Sequence, residues 1–168
     1  RDASEIMDVS ADLQAIKESK TITVCAGPKT ILDISKTYEV LETLSIPVFS
    51  YRQKNLPAFW YRDCGLSSVC RIESPEAIAK IFSIAKDTNS SNGILLCNPI
   101  PKKYSLEKAQ LEPLISSGVS ELKRTNITGK KLTPSLLSYL VKKTNGKTLL
   151  SNIELVKSNA MLGAKVAK

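Results

Sequence analysis

Thr21-Ile22-Thr23-Val24-Cys25-Ala26-Gly27-Pro28-Lys29 is the stretch that decides the fold. Its first four residues form a short β-branched run, which suits a buried strand, and a strand is predicted over Thr21 to Cys25. Gly27 supplies a tight turn. Pro28 suits the first position of a helix, where an N–H would have no intrahelical partner in any case. The pattern predicts strand, turn and helix, with Lys29 at the helix N-terminus, a common address for active sites in α/β proteins. The positive end of a helix dipole disfavours a second positive charge. An amine held there loses its proton more easily, and an unprotonated lysine is a nucleophile for a sugar carbonyl. Taken alone, the pattern fits a solvated lysine in a first helical turn better than a nucleophile.

Outward from this stretch, strands and helices alternate without an internal repeat or low-complexity linker, which predicts an α/β fold, a layered sheet flanked by helices. Ser10 can cap a short helix running to about Glu18. A second helical stretch follows the Pro28 helix over about Thr37 to Leu44, and Pro47-Val48-Phe49 begins the next strand. Ser74-Pro75-Glu76 reads as cap, first-turn proline and first-turn acid, with Ile78, Ile81, Phe82 and Ala85 giving that helix one apolar face. Ile94-Leu95-Leu96-Cys97 reads as a central strand that ends in the rigid loop Asn98-Pro99-Ile100-Pro101. Helices are predicted from Ser105 to about Arg124, from a Thr133-Pro134 cap to about Thr144 with Gly146 as its stop, and from about Thr148 toward Val166. Helix outweighs strand, so the sheet is expected to be small and the C-terminal part helix-rich. The 168 residues suffice for one domain, and the chain, which opens on Arg, is expected to be an incomplete fragment of a larger single domain.

Hydrophobic residues make up 42% and charged residues 24%, the balance of a globular protein, and the apolar runs are too short for a transmembrane helix. The net charge of +8 admits anionic partners, but the basic residues are scattered. Lys102-Lys103, Lys123-Arg124, Lys130-Lys131 and Lys142-Lys143 read mostly as solvated helix faces. A basic RNA-binding module is the alternative that the charge suggests, and it lacks aromatics at the spacing of a stacking platform. The four cysteines contain no Cys-x-x-Cys pair and the chain has no histidine, a poor donor set for zinc. Cys25 and Cys97 read as buried free thiols, which suits a reducing cytoplasmic setting.

Asp8 and Asp12 are four apart, so on a helix their carboxylates share a side and could attract a hard divalent cation. On the residues alone, Ser10 as only a cap and Asp12 as only a first-turn acid is the preferred reading. Asn98 ends a strand and could line a pocket, or be a turn residue before proline. Tyr51, Lys54 and Phe59 to Tyr61 read as a loop or subunit contact, with packing preferred.

Several segments in series carry a resemblance: Asp8-Val9-Ser10-Ala11-Asp12-Leu13-Gln14, Cys25-Ala26-Gly27-Pro28-Lys29-Thr30-Ile31-Leu32-Asp33, Tyr51-Arg52-Gln53-Lys54-Asn55-Leu56-Pro57-Ala58-Phe59, Asn98-Pro99-Ile100-Pro101 and Ser151-Asn152-Ile153-Glu154-Leu155-Val156. Together they resemble the C-terminal half of the pseudouridine-5′-phosphate glycosidase family, which includes the indigoidine synthase A-like proteins. The resemblance implies reversible cleavage of the carbon–carbon bond between ribose C1′ and uracil C5 of pseudouridine 5′-phosphate, yielding uracil and ribose 5-phosphate. It implies Lys29 as the nucleophile that forms an imine with the opened sugar, Asp8 as a manganese ligand, Ser10, Ala11 and Asp12 as a substrate-contacting segment, and Asn152 as a further substrate contact. Carbon is a poor leaving atom for a glycosidase that uses two carboxylates, which explains the need for a lysine. A homotrimer is implied as well, with no nucleic-acid polymer and no membrane among its partners. The family's proton-donating glutamate belongs to the other half, and Asp2-Ala3-Ser4-Glu5 departs from the family's usual residues. The chain alone is therefore expected not to turn over. A non-catalytic assembly piece is the competing possibility.

Overall fold

The computed structural model describes residues 12–30, 33–68, 70–88, 92–127 and 131–168. Within them, β1 (Ile22–Cys25), β2 (Val48–Tyr51), β3 (Cys70–Ile72) and β4 (Ile94–Cys97) form one parallel sheet in the order β1-β4-β2-β3. The apolar run of β4 is buried at every residue, as befits a central parallel strand covered on both faces. Its side chains alternate between two cores. Leu95 and Cys97 pack with Leu13 of α1 (Asp12–Glu18) and with Tyr38 and Leu41 of α2 (Ile34–Thr43). Ile94 and Leu96 pack on the other face with Ile78 of α3 (Pro75–Asp87) and Leu162 of α6 (Lys147–Val166). The α/β layering expected from the alternation of elements is thus present, with four short strands.

A third core lies off the sheet. Leu111 and Ile115 of α4 (Lys108–Arg124) meet Leu136 and Leu140 of α5 (Leu132–Lys143) around Trp60 and Tyr61. Trp60 is 1% and Tyr61 3% exposed, so this segment packs inward, while Lys54 is exposed.

Several boundaries differ from the sequence reading, each for a local reason. The helix expected at Pro28 begins at Ile34, and the two predicted helical pieces are one element. Asp33 caps it, its carboxylate accepting from the Lys36 N–H at 3.1 Å. The Ala26–Gly27 segment is instead tied sideways: the Phe59 N–H donates to the Ala26 carbonyl at 2.8 Å, and a side chain on Gly27 would collide with the Pro57 carbonyl. Lys29 therefore sits in a loop ahead of the cap, outside the first helical turn. Thr133 and Pro134 lie inside the first turn of α5, where a proline leaves no hydrogen bond unmade. The residues before α4 are drawn off by Trp60, whose carbonyl accepts from the Leu106 N–H at 3.0 Å. The edge strand β3, three residues with an arginine at its centre, carries too weak a pattern to be predicted. Ser74 caps α3 as expected, accepting from the Ala77 N–H at 3.2 Å, and Gly146, at φ 80°, joins α5 to α6. Ser10, the predicted cap of α1, lies outside the described residues.

Candidate active site

Strand β1 is an edge of the sheet, and a cavity of about 700 Å3 runs along it between α1 and α6. Asp12, Cys25, Lys29, Phe59, Thr133 and Asn159 are among the residues that line it. Lys29 is exposed and stands in the loop after the C-terminal end of β1, where parallel sheets bind ligands. Its position is set by Gly27, which adopts φ 83° so that the backbone can pass against Pro57. Opposite, Phe59 is held at φ 51°, a left-handed conformation unusual for an aromatic residue, by its hydrogen bond to Ala26.

Asn98 lies one layer behind the cavity wall. It is 6% exposed, and its N–H donates to the Cys25 carbonyl at 2.7 Å, joining the ends of β1 and β4. Its side-chain amide donates to Ser158 Oγ and to Asn159 Oδ1, both at 3.0 Å. Asn98 thus spends its donors on holding α6, and Asn159 presents that network at the cavity. Asn152 is half-buried one helical stretch earlier, and its Oδ1 accepts from Trp60 Nε1 at 2.7 Å. An indole N–H can only donate, so the amide orientation is determined, and Asn152 has its nitrogen to offer a ligand as a donor. Trp60 in turn stacks edge-on against Phe59, with ring centroids 4.9 Å apart.

The structure brings Asp12, Lys29 and Asn159 to one cavity and sets Asn98 and Asn152 in the supports around it. Asp8, Ser10 and Ala11 lie outside the described residues. Ser158 and Asn159 were not singled out from the sequence, and Phe59 and Thr133 were read there only as packing and as a helix cap. Ser151, Asn152, Ser158 and Asn159 recur at helical spacing, a polar stripe that was legible in principle but was masked by the apolar residues between them.

Cys25, on the cavity wall, pairs with the buried Cys97 behind it. Cys25 Sγ and Cys97 Sγ are 4.0 Å apart, and the Gly27 N–H points at Cys25 Sγ at 3.3 Å. Contact with the Cys97 thiol holds the Cys25 thiol below its ordinary range, burial opposes this, and the Gly27 N–H adds to the lowering. Cys97 is driven the other way, by the same contact and by burial. Burial, followed by the nearby sulfurs, raises the Tyr38 hydroxyl. Among the described residues no group of three or more His, Cys, Asp or Glu side chains gathers around a common point. Asp12 offers an oxygen donor at the cavity wall, of the kind that a hard divalent ion takes together with water.

The sequence profile of the family described as indigoidine synthase A like protein matches residues 1–168. Proteins named pseudouridine-5′-phosphate glycosidase from Staphylococcus aureus and Petrotoga mobilis are each 44% identical to this chain, over 98% and 100% of its length. These matches cover 54% and 55% of the two relatives, so the chain spans about half the length of the curated relatives it matches. Among solved structures, an indigoidine synthase A-like protein from Thermotoga maritima superposes with a TM-score of 0.83 at 35% identity, covering 96% of this chain and 53% of that one. The prealnumycin C-glycosynthase in complex with ribulose 5-phosphate superposes with a TM-score of 0.86 at 26% identity, covering 98% of this chain and 54% of that one.

Proposed function

The chain belongs to the indigoidine synthase A-like family, and from that premise we propose that it supplies the lysine-bearing part of a pseudouridine-5′-phosphate glycosidase. One observation carries the proposal: Lys29 stands beyond the C-terminal end of a parallel strand, at a cavity that Asp12 and Asn159 also line.

The chemistry follows from the amine. Breaking the C1′–O4′ bond, with a proton delivered to O4′, opens the ribose ring and leaves C1′ electrophilic. Lys29 Nζ, in its unprotonated form, bonds to C1′. Its lone pair then forms the carbon–nitrogen double bond while the electron pair of the C1′–C5 bond departs with uracil, which gains a proton at C5. Water hydrolyses the imine, returning the amine and releasing ribose 5-phosphate. Asn152 and Asn159 supply amide groups that can orient sugar hydroxyls or the edge of uracil. Asp8 is the proposed ligand of a divalent ion, manganese, with Asp12 on the same segment; such an ion would offset substrate phosphate charge when bound. The proton donor is assigned to the portion of the relatives that this chain does not match. A neighbour that binds ribulose 5-phosphate, itself a pentose 5-phosphate, supports this substrate class. A homotrimer in a reducing, cytoplasmic setting completes the proposal, and the four cysteines are free thiols.

Uracil release from pseudouridine 5′-phosphate by the protein that carries this chain tests the assignment. Lys29→Ala should abolish it, with a loss on the order of 10³-fold or more, the scale on which activity depends on a nucleophile. Full activity in that variant would remove Lys29 from the chemistry. Asp8→Ala should lower manganese affinity and activity together, and unchanged manganese dependence would refute the ligand assignment.

A further inference from the structure

We propose that Cys25 and Cys97 form a peroxide-responsive dithiol beneath the Lys29 loop, with Cys25 the thiol that is oxidised and Cys97 the thiol that closes a disulfide onto it. The two residues are register partners on the neighbouring parallel strands β1 and β4. Adjacent strands run about 4.8 Å apart, inside the window of about 4.4–6.8 Å between Cα atoms that a disulfide tolerates. The sulfurs are already 4.0 Å apart, so closure is a side-chain movement and requires no change of fold. The pair is chemically unequal. Cys25 borders the cavity and is half-buried, so a small oxidant can reach it. Cys97 is 0% exposed, so its sulfur is shielded from solvent, with Cys25 Sγ beside it. The Gly27 N–H at Cys25 Sγ favours its thiolate, the form that attacks peroxide. Behind the pair, the Tyr38 hydroxyl lies 4.0 Å from Cys97 Sγ and donates to the Pro57 carbonyl at 3.4 Å, which closes the far side of the sulfur pocket.

The steps balance with a hydroperoxide as the co-reactant. The Cys25 sulfur attacks one peroxide oxygen, the oxygen–oxygen bond breaks, and a sulfenic acid and one water form from hydrogen peroxide. The Cys97 sulfur then attacks the sulfenic sulfur and expels a second water. Two electrons pass from the thiol pair to the peroxide, and an external dithiol reverses the change. The consequence for Lys29 runs through Gly27. Drawing Cys25 Sγ toward Cys97 removes the acceptor of the Gly27 N–H and shifts the loop that carries the lysine. This consequence rests on the functional proposal above, whereas the dithiol itself does not.

Treating the protein with hydrogen peroxide at low molar excess, followed by digestion without reductant and peptide mass mapping, decides the point. The expected product is a peptide containing Cys25 linked to one containing Cys97, lighter by two hydrogens and restored by dithiothreitol. Cys97→Ala should stop the sequence at a Cys25 sulfenic acid that dimedone captures. Peroxide that consumes Cys64 or the exposed Cys70 while Cys25 and Cys97 remain thiols would overturn the proposal, and this reading needs no variant to fold. Trapping of ribose 5-phosphate with sodium cyanoborohydride, which reduces an imine and spares a disulfide, should fall about tenfold on the oxidised protein, since a misplacement of ~1 Å can cost up to about 100-fold. Disulfide formation that leaves trapping unchanged would overturn the link to Lys29. Absence of trapping in the reduced protein would count against the imine chemistry and not against the dithiol.

Discussion

At the scale of single residues, Gly27 and Trp60 govern the site without offering a reactive group. Gly27 takes a left-handed φ of 83° with the Pro57 carbonyl where a side chain would go. Gly27→Ala should therefore destabilise the fold by roughly 3 kcal/mol, combining a strained backbone with a backbone clash. Thermal or denaturant unfolding measures this, and a change within about 0.5 kcal/mol, typical of a neutral surface site, would contradict the loop geometry. Trp60 fixes Asn152 through one hydrogen bond of 2.7 Å. Trp60→Phe keeps most of the packing and removes the donor, for a stability cost of about 1–3 kcal/mol. If Asn152 orients substrate, the variant should also raise KM several-fold while kcat changes less. An unchanged KM would make the Trp60–Asn152 bond structural only. From sequence, the places of Lys29 and Asn98 just after strands were legible, because each follows a strand whose composition marks it. Asn159 was not, because its importance comes from Asn98, which is distant in the chain and adjacent only once β4 and α6 are packed.

At the scale of elements, the strands with apolar or β-branched runs and the Ser74-capped helix α3 were legible. Ser74 and the α3 start are the clearest case, since cap, proline and acid agree on one boundary. The Pro28 boundary was misread because a proline permits a helix start but does not compel one. Asp33 captures the Lys36 N–H, and contacts with residues 57–59 hold the preceding turn away from helical geometry. The α4–α5 pairing is another case in which packing decides. Gly118 on α4 is buried, and a methyl group there would lie 2.6 Å from Leu136 Cδ1 and 2.7 Å from Tyr139 Cδ1. Gly118→Ala gains helix propensity but forces those side chains aside, and a net loss of about 1–3 kcal/mol is expected. A more stable variant in the same unfolding measurement would mean that the two helices pack less closely than described.

At the scale of the whole molecule, the α/β layering was legible from the alternation of elements, whereas the strand order was not. Nothing local in Ile94-Leu95-Leu96-Cys97 says that it lies between β1 and β2, although its unbroken apolar character says that both faces are covered. Leu149, Leu150, Ile153, Val156 and Met161 of α6 are between 44% and 63% exposed, a set of large apolar side chains on one helix. Together with the proposed trimer, they predict self-association. Light scattering should return a mass well above the 18.4 kDa of one chain, and a monodisperse species at 18.4 kDa would contradict this. The central claim is that Lys29 bonds covalently to a pentose 5-phosphate. Its most direct test is incubation of the protein with ribose 5-phosphate and sodium borohydride, followed by peptide mass spectrometry. A reduced pentose phosphate adduct on Lys29 that is absent from Lys29→Ala is the expected result. An adduct on another lysine, formed equally in Lys29→Ala, would contradict it.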